Sequence, residues 1–316
     1  MGVLSDNAII GASNASGYDI DNSLRFDPQS ASRLERQEVG APTSTKILTL
    51  SCWLKWSGGH PFGTEGGMIL AGSGTGETHI YIHDGGRMIS AHEATEYLAT
   101  EGRNRDYAAW YHFVVVWDST DSTAGDRNRI YKNGTRITDF NSTSDPALNF
   151  EFDYLKSNSQ LKIGGWSTNG LNYWDGYMAE YHVIDGQALG PENFGEVDED
   201  TNQWKAIKYG GSYGANGFYL DFADSSDLGK DVSGNGNDFT ATNLAAYDQM
   251  IDTPTNNFAT LNRLQSLAGG YSCTMAEGNL KNSVNQGGLN WPSTFAVVSA
   301  EVFNTLFLIP LSPCHL

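Results

Sequence analysis

The chain has 316 residues, with 36 glycines, 12% aromatic and only 18% charged residues, and a formal net charge of −18. That length holds one large or two medium domains, and such a composition suits an all-β protein with many turns rather than a helical one. So acidic a surface repels phosphate backbones, which argues against a nucleic-acid partner.

Residues 1–22 are small and polar and read as an N-terminal arm. The opening Met1-Gly-Val-Leu-Ser-Asp-Asn7 has no basic region and no continuous apolar core, so no signal peptide is expected. The strand pattern begins at Ser23–Phe26. In Ile47–Trp56, Leu48, Leu50, Cys52, Leu54 and Trp56 fall on one face and Thr49, Ser51 and Lys55 on the other, which predicts a half-buried strand. Cys52, Cys273 and Cys314 are too far apart for a metal motif or a disulfide framework, and Cys52 is expected to be a buried thiol.

Gly67–Ala71 and His79–His83 follow as short strands. Tyr111–Trp117 is almost continuously apolar and should be central. Arg129–Lys132 and Thr135–Thr138 flank Asn133-Gly134, the residue pair that best supplies the two positive φ angles of a type I′ hairpin turn. Gln160–Gly164 and Asp175–Ile184 complete the set. Trp110, Trp117 and Trp174 are candidate core residues.

Character changes near residue 190. Residues 192–238 hold ten acids against three lysines. Gly217–Phe222 is a strand, Asp231–Asp238 a dense turn and Asp252–Phe258 an extended loop. The apolar tail Phe295–Leu311 includes Ser299, Glu301, Asn304 and Thr305, so it is too short and polar to insert in a membrane. It suits burial against the sandwich or another subunit, which favours a homo-oligomer. The expected organisation is an arm over 1–22, a jelly-roll domain over 23–190, an acidic, partly β extension over 191–262 and an irregular apolar segment over 263–316.

In their order, Trp110–Trp117, Arg129–Thr138 and Trp174–Ile184 resemble the core of the laminin G-like, concanavalin A-like jelly roll. The resemblance implies an all-β, two-sheet sandwich over residues 23–190. A closer match over 1–262 includes Leu4–Ala12, Ser23–Phe26, Leu50–Lys55, Asp185–Leu189, Phe194–Glu196, Tyr213–Asp221, Ser233–Phe239 and Asp252–Leu261. It is similar to lectin-like proteins of marine and cyanobacterial bacteriophages. That implies a virion surface component (a tail fibre, spike or head decoration) made in the host cytoplasm, with other virion proteins as partners. The chain departs from the pattern at Ala179-Glu180, where many laminin G-like domains carry Asp before Glu. It departs again after Leu261, where members often continue into a second sandwich. Residues 263–316 read either as a truncated form of it or as an interface segment.

Sandwich glucanases share this architecture and need alternating acids on one strand face. The nearest pattern, Glu196-Val-Asp198-Glu-Asp200, lacks the third Glu and reads as a solvated loop, so no catalytic residue is assigned. His79 and His83 share a strand face around Tyr81, but four residues separate them by about 13 Å, too far for one metal ion. Calcium is the cofactor with a candidate site. Asp231, Asn235, Asn237 and Asp238 offer oxygen ligands on a Gly-rich loop, although a turn bonded to its own backbone is the favoured reading of the same residues. For a host or environmental glycan, Trp166, Asn169, Asn172 and Tyr173 are the candidate ligand-binding residues, as an aromatic platform beside amides. The expected function is lectin-like recognition, with a ligand-free structural knob or a polysaccharide-degrading enzyme as alternatives.

Overall fold

The computed structural model describes residues 18–37, 40–57, 67–73, 78–83, 86–154, 156–157, 159–166 and 172–258, together with short strands beyond residue 259. Its strands in chain order are β1 (Ser23–Phe26), β2 (Arg33–Gln37), β3 (Ile47–Trp56), β4 (Gly67–Ser73), β5 (Thr78–His83), β6 (Arg87–His92), β7 (Thr95–Thr100), β8 (Tyr111–Asp118) and β9 (Asn128–Lys132). Then come β10 (Thr135–Arg136), β11 (Phe140–Thr143), β12 (Gln160–Ile163), β13 (Gly176–Asp185), β14 (Gly195–Val197), β15 (Trp204–Ala206), β16 (Phe218–Leu220), β17 (Thr240–Thr242) and β18 (Gln249–Met250).

Two antiparallel sheets of eight strands each form a sandwich. The first runs β10-β9-β8-β3-β13-β1-β18, with β16 also on β13; the second runs β11-β7-β6-β5-β4-β12-β2-β17. The expected all-β jelly roll is what the chain forms. Leu50, Cys52, Leu54, Phe113, Val115 and Trp117 of the first sheet meet Leu34, Leu70, Ile80, Ile82, Leu161 and Ile163 of the second in one core. Trp117 stacks on Tyr154 with centroids 4.1 Å apart and donates its indole N–H to Ser90 Oγ at 2.8 Å, so its one polar atom is satisfied inside the core. The Asn-Gly turn takes the expected left-handed angles, Asn133 at φ 46° and Gly134 at φ 77°. Gly134 is doubly required, because a Cβ there would run into the Trp204 ring.

The division at residue 190 differs from expectation. Residues 191–258 are built into the sandwich: β16 and β18 join the first sheet and β17 joins the second. They also cover the outer face of the first sheet. Phe194 packs there on Val114, Val116 and Ile184, and Ala206 packs with Trp53, Trp110, Tyr177 and Ile20. Consequently β3 is buried on both faces, not half-buried, and Thr49, Ser51 and Lys55 are fully buried.

Each of these buried polar groups has a partner, as the loss of water requires. Thr49 Oγ1 donates to the Gln187 carbonyl at 2.7 Å. Ser51 Oγ lies 2.8 Å from His112 Nε2, and Trp204 donates its indole N–H to His112 Nδ1 at 2.9 Å. An indole nitrogen only donates, so Nδ1 is the acceptor and Nε2 carries the proton. Lys55 Nζ donates to Asp252 Oδ2 at 2.7 Å, Asn257 Oδ1 at 2.8 Å and the Phe258 carbonyl at 2.9 Å. The other Asp252 oxygen accepts from Trp110 Nε1 at 3.0 Å and the Phe258 N–H at 3.3 Å. Glu180 sits at a bulge in β13 at φ 48° and accepts from Tyr18 at 2.6 Å and Tyr219 at 2.7 Å, with His182 Nε2 at 3.4 Å. Burial pushes its carboxyl up, but the hydrogen bonds from His182, Tyr18 and Tyr219 outweigh it and hold the group below its ordinary range.

The C-terminal strands Thr260–Leu261, Phe295–Val297 and Ile309–Pro310 form a small sheet, and Cys273–Ala276 pairs with Lys281–Val284. Most of the apolar tail and residues 1–17 lie outside the described residues.

Two predictions follow from the covered face. Lys55→Met leaves Asp252 buried without its cation, and denaturant unfolding should show a loss of about 3–5 kcal/mol, most of it restored by adding Asp252→Leu. Burial, with His182 nearby, pushes the His112 pKa down to about 3. The unfolded chain therefore binds a proton below about pH 6.5 that the folded chain refuses. Stability should fall as pH drops from about 6.5 toward 3, and His112→Gln should flatten that slope by about 1 kcal/mol per pH unit.

Candidate functional site

With one sheet covered, the outer face of the second sheet becomes the candidate surface. Alternation along β5 turns Thr78, Ile80 and Ile82 inward and leaves His79, Tyr81 and His83 half-buried on the outside. Directly paired residues on an antiparallel sheet share a face, and the register runs Glu35, Lys162, Ala71, His79, Ala91, Glu96 across five strand boundaries. Ala71 is the small residue between Lys162 and His79. Trp166, which follows β12 through Gly164-Gly165, spans that gap. Its ring lies edge-on to His79 with centroids 4.7 Å apart, and Lys162 Nζ stands 5.8 Å from its centroid.

Beside this ring, Ile89, Ala91 and Ala99 form an apolar floor against which Tyr81 packs. On the other side, Glu35 Oε1 accepts from Arg33 Nε at 2.8 Å and lies 3.6 Å from Lys162 Nζ. Burial pushes the Glu35 carboxyl up, but Arg33 and Lys162 more than offset it and keep the group ionised. Apolar ring faces next to fixed charges can hold the C–H face of a sugar while bonding its hydroxyls.

A family profile described as the concanavalin A-like lectin/glucanases superfamily matches residues 31–193, just over half of the chain. The chain belongs to that superfamily. No curated protein matches it. Among solved structures, this superfamily member is similar to a putative carbohydrate binding protein from Bacteroides ovatus, at 17% identity and a TM-score of 0.47, over 72% of this chain and 61% of that one. It is also similar to a heptameric SAP-like pentraxin from Limulus polyphemus, at 20% identity and 0.38, over 54% and 79%. A third is the LG4-5 region of the mouse laminin alpha1 chain, at 12% identity and 0.36, over 67% and 52%.

Of the three candidate glycan residues that are described, Trp166 lies on the superfamily member's outer sheet face, against His79. Tyr173 is buried at 3% exposure and its ring occupies the space left by Gly165, where a Cβ would come within 2.5 Å of it. Asn172 is buried at 7% in a left-handed conformation, and its carbonyl accepts the Met68 N–H at 3.3 Å. Neither can line an open platform, which corrects the sequence expectation; Asn169 lies outside the described residues. Lys162 and Glu35 were not singled out in sequence. Their signal is alternation in β2 and β12, brought into register with β5 only by the sheet.

The Asp231 turn uses its polar atoms internally. Asp231 Oδ1 accepts the Tyr219 and Ser233 N–H groups at 2.9 and 2.8 Å, and Oδ2 accepts the Asn237 N–H at 2.8 Å and the Ser233 hydroxyl at 2.9 Å. Asp238 Oδ1 accepts the Asp231 N–H at 2.8 Å. Asn235 and Asn237 both donate to the Gly217 carbonyl at 2.8 Å. The Asp231 carboxylate and the Asn235 and Asn237 amide nitrogens thus bond this turn to the protein's own backbone. Among the described residues no group of three or more His, Cys, Asp or Glu side chains is placed to hold a metal ion.

Glu196 and Asp198 of the acidic segment are likewise engaged. Asp198 accepts from the Thr201 N–H at 2.8 Å and from Lys205 Nζ at 3.1 Å, and Lys205 also reaches Glu196 at 3.3 Å. The Thr201 backbone first, then Lys205, hold Asp198 down to about 2, the opposite of what a general acid needs. Because the Asp231 carboxylate accepts four hydrogen bonds in the turn, Asp231→Ala should destabilise the fold by about 3 kcal/mol or more. EDTA should leave the melting temperature of the unmodified chain unchanged, as thermal melts with and without it would show.

Proposed function

We propose that this chain is a virion surface protein of a bacteriophage whose jelly roll retains a glycan on the outer face of its second sheet, without cleaving it. The observation that carries the binding part is the Trp166 ring lying beside His79 across the gap at Ala71, next to the apolar floor and the Arg33–Glu35–Lys162 group. The motifs at Ser23–Phe26, Leu50–Lys55, Tyr213–Asp221 and Ser233–Phe239 support the virion part through their resemblance to phage lectin-like proteins. Binding without cleavage is supported by the ion pairs that Glu196 and Asp198 make with Lys205. Other virion proteins and further copies of this chain are the proposed protein partners, and the virion the proposed location.

Trp166→Ala should weaken retention on immobilised host polysaccharide about tenfold or more while the melting temperature barely moves. Tyr173→Ala, in contrast, should lose about 3–5 kcal/mol of stability. Retention with no release of reducing ends supports a lectin. Release of reducing ends would make it an enzyme, and absence of retention would make it a structural knob. Immunolabelling of intact virus particles tests the virion part: label on tail fibres points to host recognition, label on the head to decoration, and unlabelled particles would refute it.

A further inference from the structure

A second cleft lies where the chain crosses from one sheet to the other. Thr100 ends β7 of the second sheet, Lys132 ends β9 of the first, and Ile137–Asp139 link β10 to β11. Together with Arg103 and Asn104 these residues enclose about 320 Å³, at the lower end of the range for ligand pockets.

One wall residue, Asn104, is clamped, and several polar groups on the lining are uncommitted. Asn104 donates both its backbone N–H, at 2.9 Å, and its side-chain N–H, at 2.8 Å, to the Gly86 carbonyl. Gly86 is required for that approach, since a Cβ there would lie 2.7 Å from the Asn104 carbonyl oxygen. The clamp fixes the Asn104 amide and leaves its Oδ1 without a donor among the described residues. Thr100 Oγ1 is spent on the Met88 N–H and the Gly102 carbonyl. The Arg103 guanidinium, the Thr138 hydroxyl and the Asp139 carboxylate make no hydrogen bond or ion pair among the described residues. Lys132 Nζ stands 4.0 Å from the centroid of the Tyr111 ring, which holds its charge in place.

Arg103 and Lys132 both line this cleft, on a chain whose net charge is −18. An anion is admitted only where such cations offset the overall field. A carboxylate alone would not use Asp139 or Asn104 Oδ1, which are acceptors and call for hydroxyl donors. We propose that this cleft binds an acidic sugar residue, its carboxylate on Arg103 and Lys132 and its neighbouring hydroxyls on Asp139 and Asn104. The sugar class rests on the glycan-binding reading above, but none of these residues belongs to the sheet face around Trp166.

The test is to titrate the full chain with D-glucuronate, and in parallel with D-glucose, while following backbone amide resonances. Glucuronate is expected to shift the amides of Thr100–Asn104 and Thr138–Asp139, and glucose to leave them in place. Arg103→Ala, at an exposed position, should weaken the glucuronate response about tenfold without moving the melting temperature. Trp166→Ala should leave it intact, so failure of the sheet-face site and failure of the cleft are read separately. Cleft amides unmoved by glucuronate, moved equally by glucose, or indifferent to Arg103→Ala would each overturn the proposal.

Discussion

The ion pair between Lys55 and Asp252 is the constraint on which the rest of the structure depends. It joins the outer face of a central strand to a loop 197 residues later in the chain. A lysine there, with only 1% of its side-chain surface exposed, is tolerable only with a full set of acceptors. Asp252, Asn257 and the Phe258 carbonyl supply all three. Asp252 in turn accepts from Trp110, and its carbonyl accepts the Ser23 hydroxyl at 2.6 Å. One loop thus ties together β1, β3 and the segment before β8, and the extension must fold back for any of them to be satisfied.

That closure decides which surfaces are left for function. Once residues 191–258 lie over the first sheet, its polar side chains become interior groups with fixed partners, and His112 is held neutral as a consequence of burial. Asp231, Asp198 and Glu180 also spend their oxygens on the protein's own donors. The sheet face around Trp166 and the cleft at Arg103 are different in kind. There, aromatic faces or uncommitted charges meet solvent, which is where a ligand can add interactions instead of replacing them. The superfamily fold supplies the scaffold, but the chemistry has to be argued from these side chains.

Strand existence was legible because alternation and turn chemistry are local. The strand at Ile47–Trp56 and the Asn-Gly turn both form as expected, although the strand's second face is covered, and Cys52, Trp117 and Trp174 are core residues. What local pattern could not carry was the identity of the covering layer. Ser51 and Lys55 look like solvent-facing residues because their partners lie far away in sequence. Tyr173 looked like a platform residue because nothing in its own segment shows that Gly165 opens a slot for its ring. The internal bonding of the Asp231 turn could not be read from its own segment, because the fold brings the Tyr219 N–H to its carboxylate from a separate strand. Glu35, Lys162 and His79 become neighbours through sheet register alone.

The most direct test of this account is to compare the unfolding of residues 18–190 with that of residues 18–258 by calorimetry. If the extension is part of the sandwich, the longer fragment melts cooperatively, and the shorter one, with Lys55 and the first sheet's outer face uncovered, shows no cooperative transition. A shorter fragment that melts cooperatively at the same temperature as the longer one would contradict the account, because the covering layer would then be an appendage to a sandwich that is complete without it.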